Sequence, residues 1–138
     1  MQTRPIKFRA WDKENREMVE VLECNFKELM VCLPGFESGK KFSGWHSLDN
    51  IELMQYTGLK DKNGQEIYEG DVIKGNLIKY SPLPIMGEVV WDNELSGFAS
   101  KNNAGNTLLF EIDQIRIIGD KFQNPELLNH GPEGLKGA

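Results

Sequence analysis

The sequence predicts a mainly β protein with at most short helices, and two closely spaced turns support this fold class. Strand-compatible residues occupy positions 51–57 and 66–68, on either side of Asn63 and Gly64. Because Asn-Gly suits the two positive φ angles of a type I′ turn, it predicts a hairpin tip. Gly70, between two acidic residues, predicts a second turn before a new strand. Turns this close together favour a compact barrel or sandwich.

The first half of the chain predicts a hairpin and one ambiguous element. Residues 6–11 and 17–22 are strand-compatible and flank polar turn residues, so they predict the two arms of a hairpin. Residues 26–33 fit either a strand or a short helix, because their apolar side chains also follow helical spacing. We expect residues 34–47 to form a loop, and the strand of residues 51–57 to end or kink near Gly58.

The second half predicts further strands and one helical turn. The strand-compatible runs are residues 72–80, 85–92, 97–100, 107–110 and 115–118. We expect Pro82 and Pro84 to break the connection between the first two runs, because proline cannot donate to a central ladder. Asn124 and Pro125 predict a single helical turn with Asn124 as its cap.

Three segments carry a resemblance to a known family: residues 56–73 (YTGLKDKNGQEIYEGDVI), residues 7–12 (KFRAWD) and residues 124–128 (NPELL). Through them the chain resembles the YopX family of small bacteriophage and prophage proteins over most of its length. The resemblance implies a phage or prophage origin, an SH3-like barrel, a homo-oligomer and no assigned molecular function. It carries over no catalytic residues.

These observations predict three parts: a β-rich N-terminal region (residues 1–57), an SH3-like barrel (residues 58–128) and a flexible tail (residues 129–138). Hydrophobic and charged shares of 39% and 27% are those of a folded protein. No apolar run approaches the roughly 20 residues that span a bilayer. The first residues lack the apolar core of a secretion signal, so we expect the cytoplasm of a bacterial host and no membrane contact.

A net charge of -5 argues against broad, nonspecific binding to nucleic acid, which depends on neutralising phosphates. A local basic patch surrounds Arg9 and Trp11, where cations and aromatic residues alternate as a nucleic-acid surface requires. Strand alternation explains the same pattern as the solvated face of a hairpin. Nucleic acid is therefore a less favoured partner than protein.

The favoured interpretation is a noncatalytic β-barrel module that binds a macromolecular partner, such as a host or phage protein. The candidate partner-binding residues are Arg9, Trp11, Phe42 and Trp45. Most aromatic residues are expected in the core because they bury a large area, but Trp45, in a Gly/Ser/His segment, is expected to be exposed. Strand edges and residues 35–45 are the expected contacts of a homo-oligomer.

The alternative interpretation is an enzyme acting on a nucleotide or nucleic acid. It uses the carboxylates Glu66, Glu69 and Asp71 as a general acid and base, and it requires a pocket lined by at least two of them. Turn formation explains these side chains without catalysis. No nucleophile or histidine accompanies them, so the residues favour a protein that is not an enzyme and contains no catalytic site.

We expect no cofactor and no metal site. Cys24 and Cys32 are expected to be reduced, because no Cys-x-x-Cys pair or secretory context accompanies them. Asp61, Asn63 and Gln65 superficially resemble a calcium loop. The glycine and glutamate that such a loop requires at its sixth and twelfth positions are missing, and a hairpin turn explains these residues better.

Overall fold

A computed structural model describes residues 4–34, 44–79 and 83–128. Within these residues, strands predominate and the helices are single 3-10 turns, so the prediction of a mainly β fold is confirmed. The strands are β1 (Phe8–Asp12), β2 (Glu17–Glu20), β3 (Glu23–Asn25), β4 (Met30–Cys32), β5 (Trp45–Ser47), β6 (Ile51–Lys60), β7 (Glu66–Tyr68), β8 (Asp71–Leu77), β9 (Leu83–Asp92), β10 (Gly97–Asn102), β11 (Gly105–Leu108) and β12 (Ile112–Asp120). The 3-10 helices are η1 (Leu48–Asn50), η2 (Leu109–Glu111) and η3 (Pro125–Leu127).

The chain divides into two compact units, residues 1–56 and 57–138. The division falls inside β6, so no linker separates the units. The sequence-based domains, with their boundary after residue 57, stay a prediction because compactness does not show that either part folds alone. The predicted tail, residues 129–138, lies outside the described residues.

The first unit contains the predicted N-terminal hairpin. β1 pairs antiparallel with β2 and, on its other side, with the first half of β6. β3, β4 and β5 form a separate antiparallel sheet. The core of this unit gathers Ala10, Val31, Leu33 and Ile51, which are all at most 3% exposed.

The ambiguous segment 26–33 contains a strand rather than a helix. β4 lies between β3 and β5, with Val31 opposite both Cys24 and His46. These two neighbours satisfy backbone groups that a short helix would leave unpaired at its ends. The loop expected over residues 34–47 is wrong at its end, where Trp45–Ser47 forms β5. Residues 35–43 lie outside the described part of the chain.

The second unit is built on a five-stranded antiparallel sheet in the order β11-β10-β9-β8-β12. Curling of the sheet into a half-barrel encloses an apolar core made of Ile67, Ile73, Ile85, Val89, Leu109, Ile112 and Ile115. The ladder of β12 with β8 shifts register between Asp113 and Arg116. Irregularities of this kind bend a strand and increase its twist, which helps a sheet to close on itself.

Close packing of the second-unit strands excludes side chains at two positions. A Cβ at Gly75 of β8 would lie 2.8 Å from the carbonyl oxygen of Asp113 and 2.5 Å from Cγ2 of Ile112. A Cβ at Gly87 of β9 would meet the carbonyl oxygen of Lys101 at 2.6 Å. Glycine at both positions is therefore required by the approach of neighbouring strands.

The hairpin tip predicted at Asn63-Gly64 is present, but it is not a type I′ turn. Only Gly64, with φ of 85°, has a positive φ angle; Asn63 does not. The amide of Gly64 donates to the carbonyl of Asp61 at 2.9 Å, and the amide of Asp61 donates to the carbonyl of Gln65 at 2.8 Å. The loop is thus longer than two residues, because the Asp61 side chain stabilises an alternative turn.

Two smaller expectations, at Gly58 and Pro84, differ in part from the structure. The strand does not end near Gly58 but continues as β6 to Lys60, and Gly58 adopts the expected positive φ, of 88°. Pro84 lies within β9 opposite Asn76, and the β10 ladder reaches only as far as Glu88. On the side of β9 that faces β10, Pro84 therefore has no paired strand whose hydrogen bonds it could interrupt. Pro82 lies outside the described residues.

The helical turn predicted at the end of the barrel forms as η3, but without the expected side-chain cap. Pro125 occupies its first position. The Asn124 side chain instead accepts a hydrogen bond from the amide of Asp120 at 3.2 Å. This bond ties the segment to the end of β12.

Candidate functional site

A groove of about 390 Å³ lies in the second unit. Its polar lining consists of Lys62, Lys74, Asn76, Gln114 and Arg116, and the rest consists of Gly75, Pro84 and Ile85. Three of these side chains are cationic, and none of the described lining residues is a carboxylate. The groove is therefore a positively charged recess in a chain whose net charge is -5.

The β8·β12 ladder places two cations opposite each other. Lys74 and Arg116 are register partners, and Asn76 follows Lys74 by two residues on the same face of β8. Like charges directly opposite each other across an antiparallel pair are destabilising. Within the described residues, no carboxylate forms an ion pair with Lys74 or Arg116. The repulsion between Lys74 and Arg116 is therefore not offset by an ion pair with any described residue at this point of the sheet.

Lys62 enters the lining from the hairpin tip between β6 and β7. Its backbone amide donates to the carbonyl of Ile115 at 2.8 Å, so the tip is hydrogen-bonded to β12. Gln114 lies on the irregular part of β12 and adopts φ of 56°, a left-handed conformation that costs energy for a side-chain-bearing residue. The lining is thus formed by a turn, a regular strand and a bulged strand.

The buried carboxylate of Asp61 holds this arrangement together. One oxygen accepts hydrogen bonds from the amides of Asn63 and Gln65, both at 2.9 Å, and the other accepts from Ile117 at 3.1 Å. Burial opposes ionisation, but these hydrogen bonds outweigh it and hold the pKa of Asp61 below its usual value. The same bonds explain residues 61–65 as a turn rather than as a calcium loop.

The carboxylates of the enzyme interpretation do not line the groove. Asp71 is 2% exposed and accepts a hydrogen bond from the amide of Tyr68 at 2.8 Å, which stabilises the turn at Gly70. Glu66 and Glu69 are half-buried and engaged in other interactions. The pocket that a general acid and base would require is not found in this groove.

No cluster of metal-ligating side chains occurs in residues 4–34, 44–79 and 83–128. Cys24 and Cys32 lie on the paired strands β3 and β4 and form no disulfide within the described residues. Burial raises the pKa of the Cys24 thiol above its usual value. The thiol form is less reactive than the thiolate, so the geometry indicates a packing role for Cys24.

The four residues proposed from the sequence for partner binding have different environments. Trp11 is 7% exposed, and Arg9 is half-buried. Trp45 is 48% exposed, as expected for that residue. Phe42 lies outside the described residues. Partner binding by these residues stays a prediction.

Trp91 belongs to the aromatic residues of which most were expected in the core, but it is also 48% exposed. Its indole Nε1 donates to the side-chain oxygen of Asn93 at 2.8 Å. Its ring meets Phe98 edge-on, with centroids 5.1 Å apart and an interplanar angle of 79°. The nearby Asn93 and Asp92 gave a turn signal, and this signal places Trp91 at a strand end where burial is incomplete.

Comparisons with known proteins agree with the fold. The family model described as YopX protein matches residues 7–129. The chain belongs to the YopX family. The crystal structure of protein EF1440 from Enterococcus faecalis is similar at 28% identity and a TM-score of 0.64, covering 92% of this chain and 100% of that one. The family resemblance is therefore confirmed.

The YopX protein of Bacillus subtilis has the same fold. Its crystal structure aligns at 20% identity and a TM-score of 0.59, covering 91% of this chain and 97% of that one. No curated protein matches the sequence. Among the described residues, the structure contains no helix with the length and apolar character needed to cross a membrane. YopX membership thus supports the fold and leaves the groove to be interpreted from its own geometry.

Proposed function

We propose that this YopX-family chain is a noncatalytic phage or prophage accessory protein that binds another protein. The observation that carries the proposal is Trp91, a large aromatic side chain that is half exposed and held in place by two contacts. Tryptophan residues of this kind contribute strongly to protein interfaces, because they bury a large area with little loss of conformational freedom.

The surroundings of Trp91 support a protein partner. The turn that follows contains Leu95, which is 43% exposed, so an apolar group accompanies the indole. The carboxylate of Asp92 accepts hydrogen bonds from the amides of Glu94 and Leu95 at 2.8 and 2.9 Å. The turn is therefore ordered before a partner arrives, which lowers the entropic cost of binding.

Two observations weigh against the enzyme alternative and against nucleic acid. The most buried of the three carboxylates, Asp71, serves a turn of the fold. The net charge of -5 argues against broad, nonspecific binding to nucleic acid. The partner class that fits both a half-exposed tryptophan and an acidic chain is protein.

Self-association remains part of the proposal. β11 is at an edge of the five-stranded sheet, and its sequence Gly-Asn-Thr-Leu contains neither the charge nor the proline that commonly protects an edge. We expect sedimentation equilibrium at micromolar concentration to give a multiple of the 15.7 kDa chain mass. A mass that stays at one chain would contradict self-association without affecting the Trp91 surface.

Affinity capture from cells carrying the induced prophage tests the main proposal. Wild type is compared with Trp91→Ala, with Trp45→Ala and with a control, Phe110→Ala, which removes a more exposed aromatic ring of the second unit. Bound material is identified by mass spectrometry and nucleic-acid sequencing. We expect a protein that is retained by wild type and Phe110→Ala and lost with Trp91→Ala.

Two results would contradict the proposal. Recovery of nucleic acid alone would show the wrong partner class, and equal recovery of the protein by Trp91→Ala would show the wrong surface. Loss of the captured protein in Trp45→Ala alone would instead support Trp45, the exposed tryptophan predicted from the sequence, as the binding residue.

A further inference from the structure

We infer that the cationic groove binds carboxylates of an acidic segment on the protein partner. This inference rests on the proposed protein-binding function and specifies the chemistry of the partner. The groove consists of residues from the hairpin tip, β8, the start of β9 and the bulged part of β12.

Two of the three cations of the groove have no ion-pair partner among the described residues. Lys74 and Arg116 lie opposite each other in the ladder, and neither forms an ion pair with a carboxylate in the described part of the chain. Lys62 adds a third positive charge from a neighbouring turn, and the adjacent carboxylate of Asp61 offsets part of this charge. An anion bound here would attract both Lys74 and Arg116 and so offset the repulsion between them, which favours binding.

The donor groups match the needs of a carboxylate. Arg116 carries a planar guanidinium that can donate two parallel hydrogen bonds to the two oxygens of one carboxylate. Lys62 and Lys74 supply point charges, and the amide groups of Asn76 and Gln114 supply neutral donors. With these donors on three sides, the recess of about 390 Å³ accommodates acidic side chains rather than a broad surface.

The groove is built from ordered backbone. Asp61 fixes the turn that carries Lys62 and also accepts a hydrogen bond from the amide of Ile117, next to Arg116. Gly75 allows β12 to approach so closely that a Cβ would contact the carbonyl of Asp113. The backbone positions that carry the donors are thus set before binding, which favours a specific ligand over diffuse attraction.

The lining favours an acidic peptide over nucleic acid. Single-stranded nucleic acid is usually held by a basic groove together with aromatic rings on which bases stack. The lining residues contain no aromatic ring among those the structure describes, and Pro84 and Ile85 form an aliphatic wall instead. Such a wall suits the methylene groups of glutamate or neighbouring apolar side chains.

Fluorescence anisotropy with a labelled oligoglutamate peptide tests the inference on the full chain. We expect saturable binding that weakens as salt rises, because exposed charges are screened. Lys74→Gln and Arg116→Gln are each expected to weaken binding by about tenfold or more. The matched control, Lys101→Gln, removes the same charge from an exposed position on β10 outside the groove and is expected to change affinity by less than about twofold.

The folding of the variants is checked by thermal unfolding. Because each substitution removes one of two opposed cations, we expect Lys74→Gln and Arg116→Gln to unfold at the wild-type temperature or above. Lys62→Gln tests the groove independently, because Lys62 lies in an exposed turn and its substitution does not change the pairing of β8 with β12. Its effect on peptide affinity therefore does not depend on the stability of that ladder. Retained peptide affinity in all three variants would overturn the inference.

Competition experiments separate the other ligands. A thymidine oligonucleotide that binds more tightly than the peptide and is lost in the same variants would overturn the inference in favour of nucleic acid. Displacement by inorganic phosphate at lower concentration than by free oligoglutamate would overturn it in favour of a small phosphate site. An equal loss of affinity in Lys101→Gln would show nonspecific attraction and would also overturn it.

The outcome is distinguishable from failure of the proposed function. If wild type and Arg116→Gln capture the same protein equally well, the acidic-segment inference fails while protein binding by the Trp91 surface stands. If no protein is captured by wild type, the proposed function fails. Loss of the captured protein in Arg116→Gln, with Lys101→Gln unaffected, supports both.

Discussion

The two units contain hairpins whose turns begin with the same Trp-Asp pair. In the first unit, Asp12 accepts hydrogen bonds from the amides of Glu14 and Asn15 at 3.0 and 3.1 Å. In the second, Asp92 accepts from the amides two and three residues later at 2.8 and 2.9 Å. Both turns end in a left-handed residue, Arg16 with φ of 54° and Ser96 with φ of 53°. The two turns therefore share the same hydrogen bonds from backbone amides to the aspartate and the same left-handed final residue.

The tryptophans that precede these turns have opposite environments. Trp11 is 7% exposed, whereas Trp91 is 48% exposed. The turn depends on hydrogen bonds within a few residues, and it forms in both places because both sequences supply an aspartate. Burial of the neighbouring indole depends on what distant elements pack against it. Similar local sequence therefore produces a structural residue in one unit and an available surface in the other.

The largest expected difference concerns the two indoles. We expect Trp11→Ala to lower the free energy of unfolding by about 3–5 kcal/mol, because it removes a large buried side chain. Trp91→Ala is expected to cost about 1 kcal/mol, because half of that ring already faces solvent. Urea denaturation followed by circular dichroism measures both. An equal loss of unfolding free energy in the two variants would contradict the distinction between a tryptophan that stabilises the fold and one that is exposed for binding.

The aspartates should show a smaller difference in the same direction. Asp12→Ala leaves two backbone amides and the Asn15 side chain without their acceptor, so we expect a loss of about 1–2 kcal/mol. Asp92→Ala also removes the acceptor of two backbone amides and of one side chain, that of Asn106, but it is expected to cost less, because water can replace the carboxylate at that partly exposed turn. The same denaturation experiment decides the order, and a larger loss for Asp92→Ala would reverse it.

Acid should weaken the first turn more than the second. Burial opposes ionisation of Asp12, but hydrogen bonds from Asn15 and Glu14 hold its pKa below the usual value. The unfolded chain therefore binds this proton more readily, and the stabilisation is present above about pH 4 and lost as pH falls through the lower pKa of the folded state. The pKa of Asp92 is also held below its usual value, by hydrogen bonds from Leu95, Asn106 and Glu94. That carboxylate is more exposed, however, so solvent screens its interactions more strongly. We therefore expect Asp12→Asn to flatten the dependence of stability on pH in this range more than Asp92→Asn does. Equal slopes in the two variants would contradict this order.

The smallest expected effect concerns the left-handed residues. Glycine relieves the steric cost of a positive φ angle but also gives the unfolded chain more freedom. We therefore expect Arg16→Gly and Ser96→Gly to change stability by at most about 0.5 kcal/mol each, and by similar amounts. A clear difference between them would show that the two turns are less alike than their backbones suggest.

Short-range features of this fold were readable from the sequence. The N-terminal hairpin, the tip near Gly64 and the turn at Gly70 all follow from glycine, asparagine and aspartate acting within a few residues. Even there, the turn type at Asn63 was wrong, because Asp61 offers its side chain to the amides of two neighbours. The local sequence therefore predicts the position of the turn, but the hydrogen bonds of the Asp61 side chain determine its type.

Long-range features were not readable. β5 carries no alternation that distinguishes it from a loop, and it forms because β4 supplies hydrogen-bond partners. The groove gathers Lys62, Lys74 and Arg116, which are far apart in sequence, and two of them meet only through the register of β8 with β12. Sequence periodicity reveals the face of a strand, but it does not reveal which strand will lie beside it.

The missing Cβ at Gly75 has a consequence for how relatives of this protein should be interpreted. Any chain that keeps the same approach of β8 to β12 must also keep a glycine there, whatever it binds, because the carbonyl of Asp113 occupies the space. The cations around this glycine are under no such steric requirement. An alignment of relatives should therefore show glycine unchanged at position 75, while the positions of the surrounding cations vary. The conserved glycine would then reflect the packing of the sheet and would not indicate a binding site.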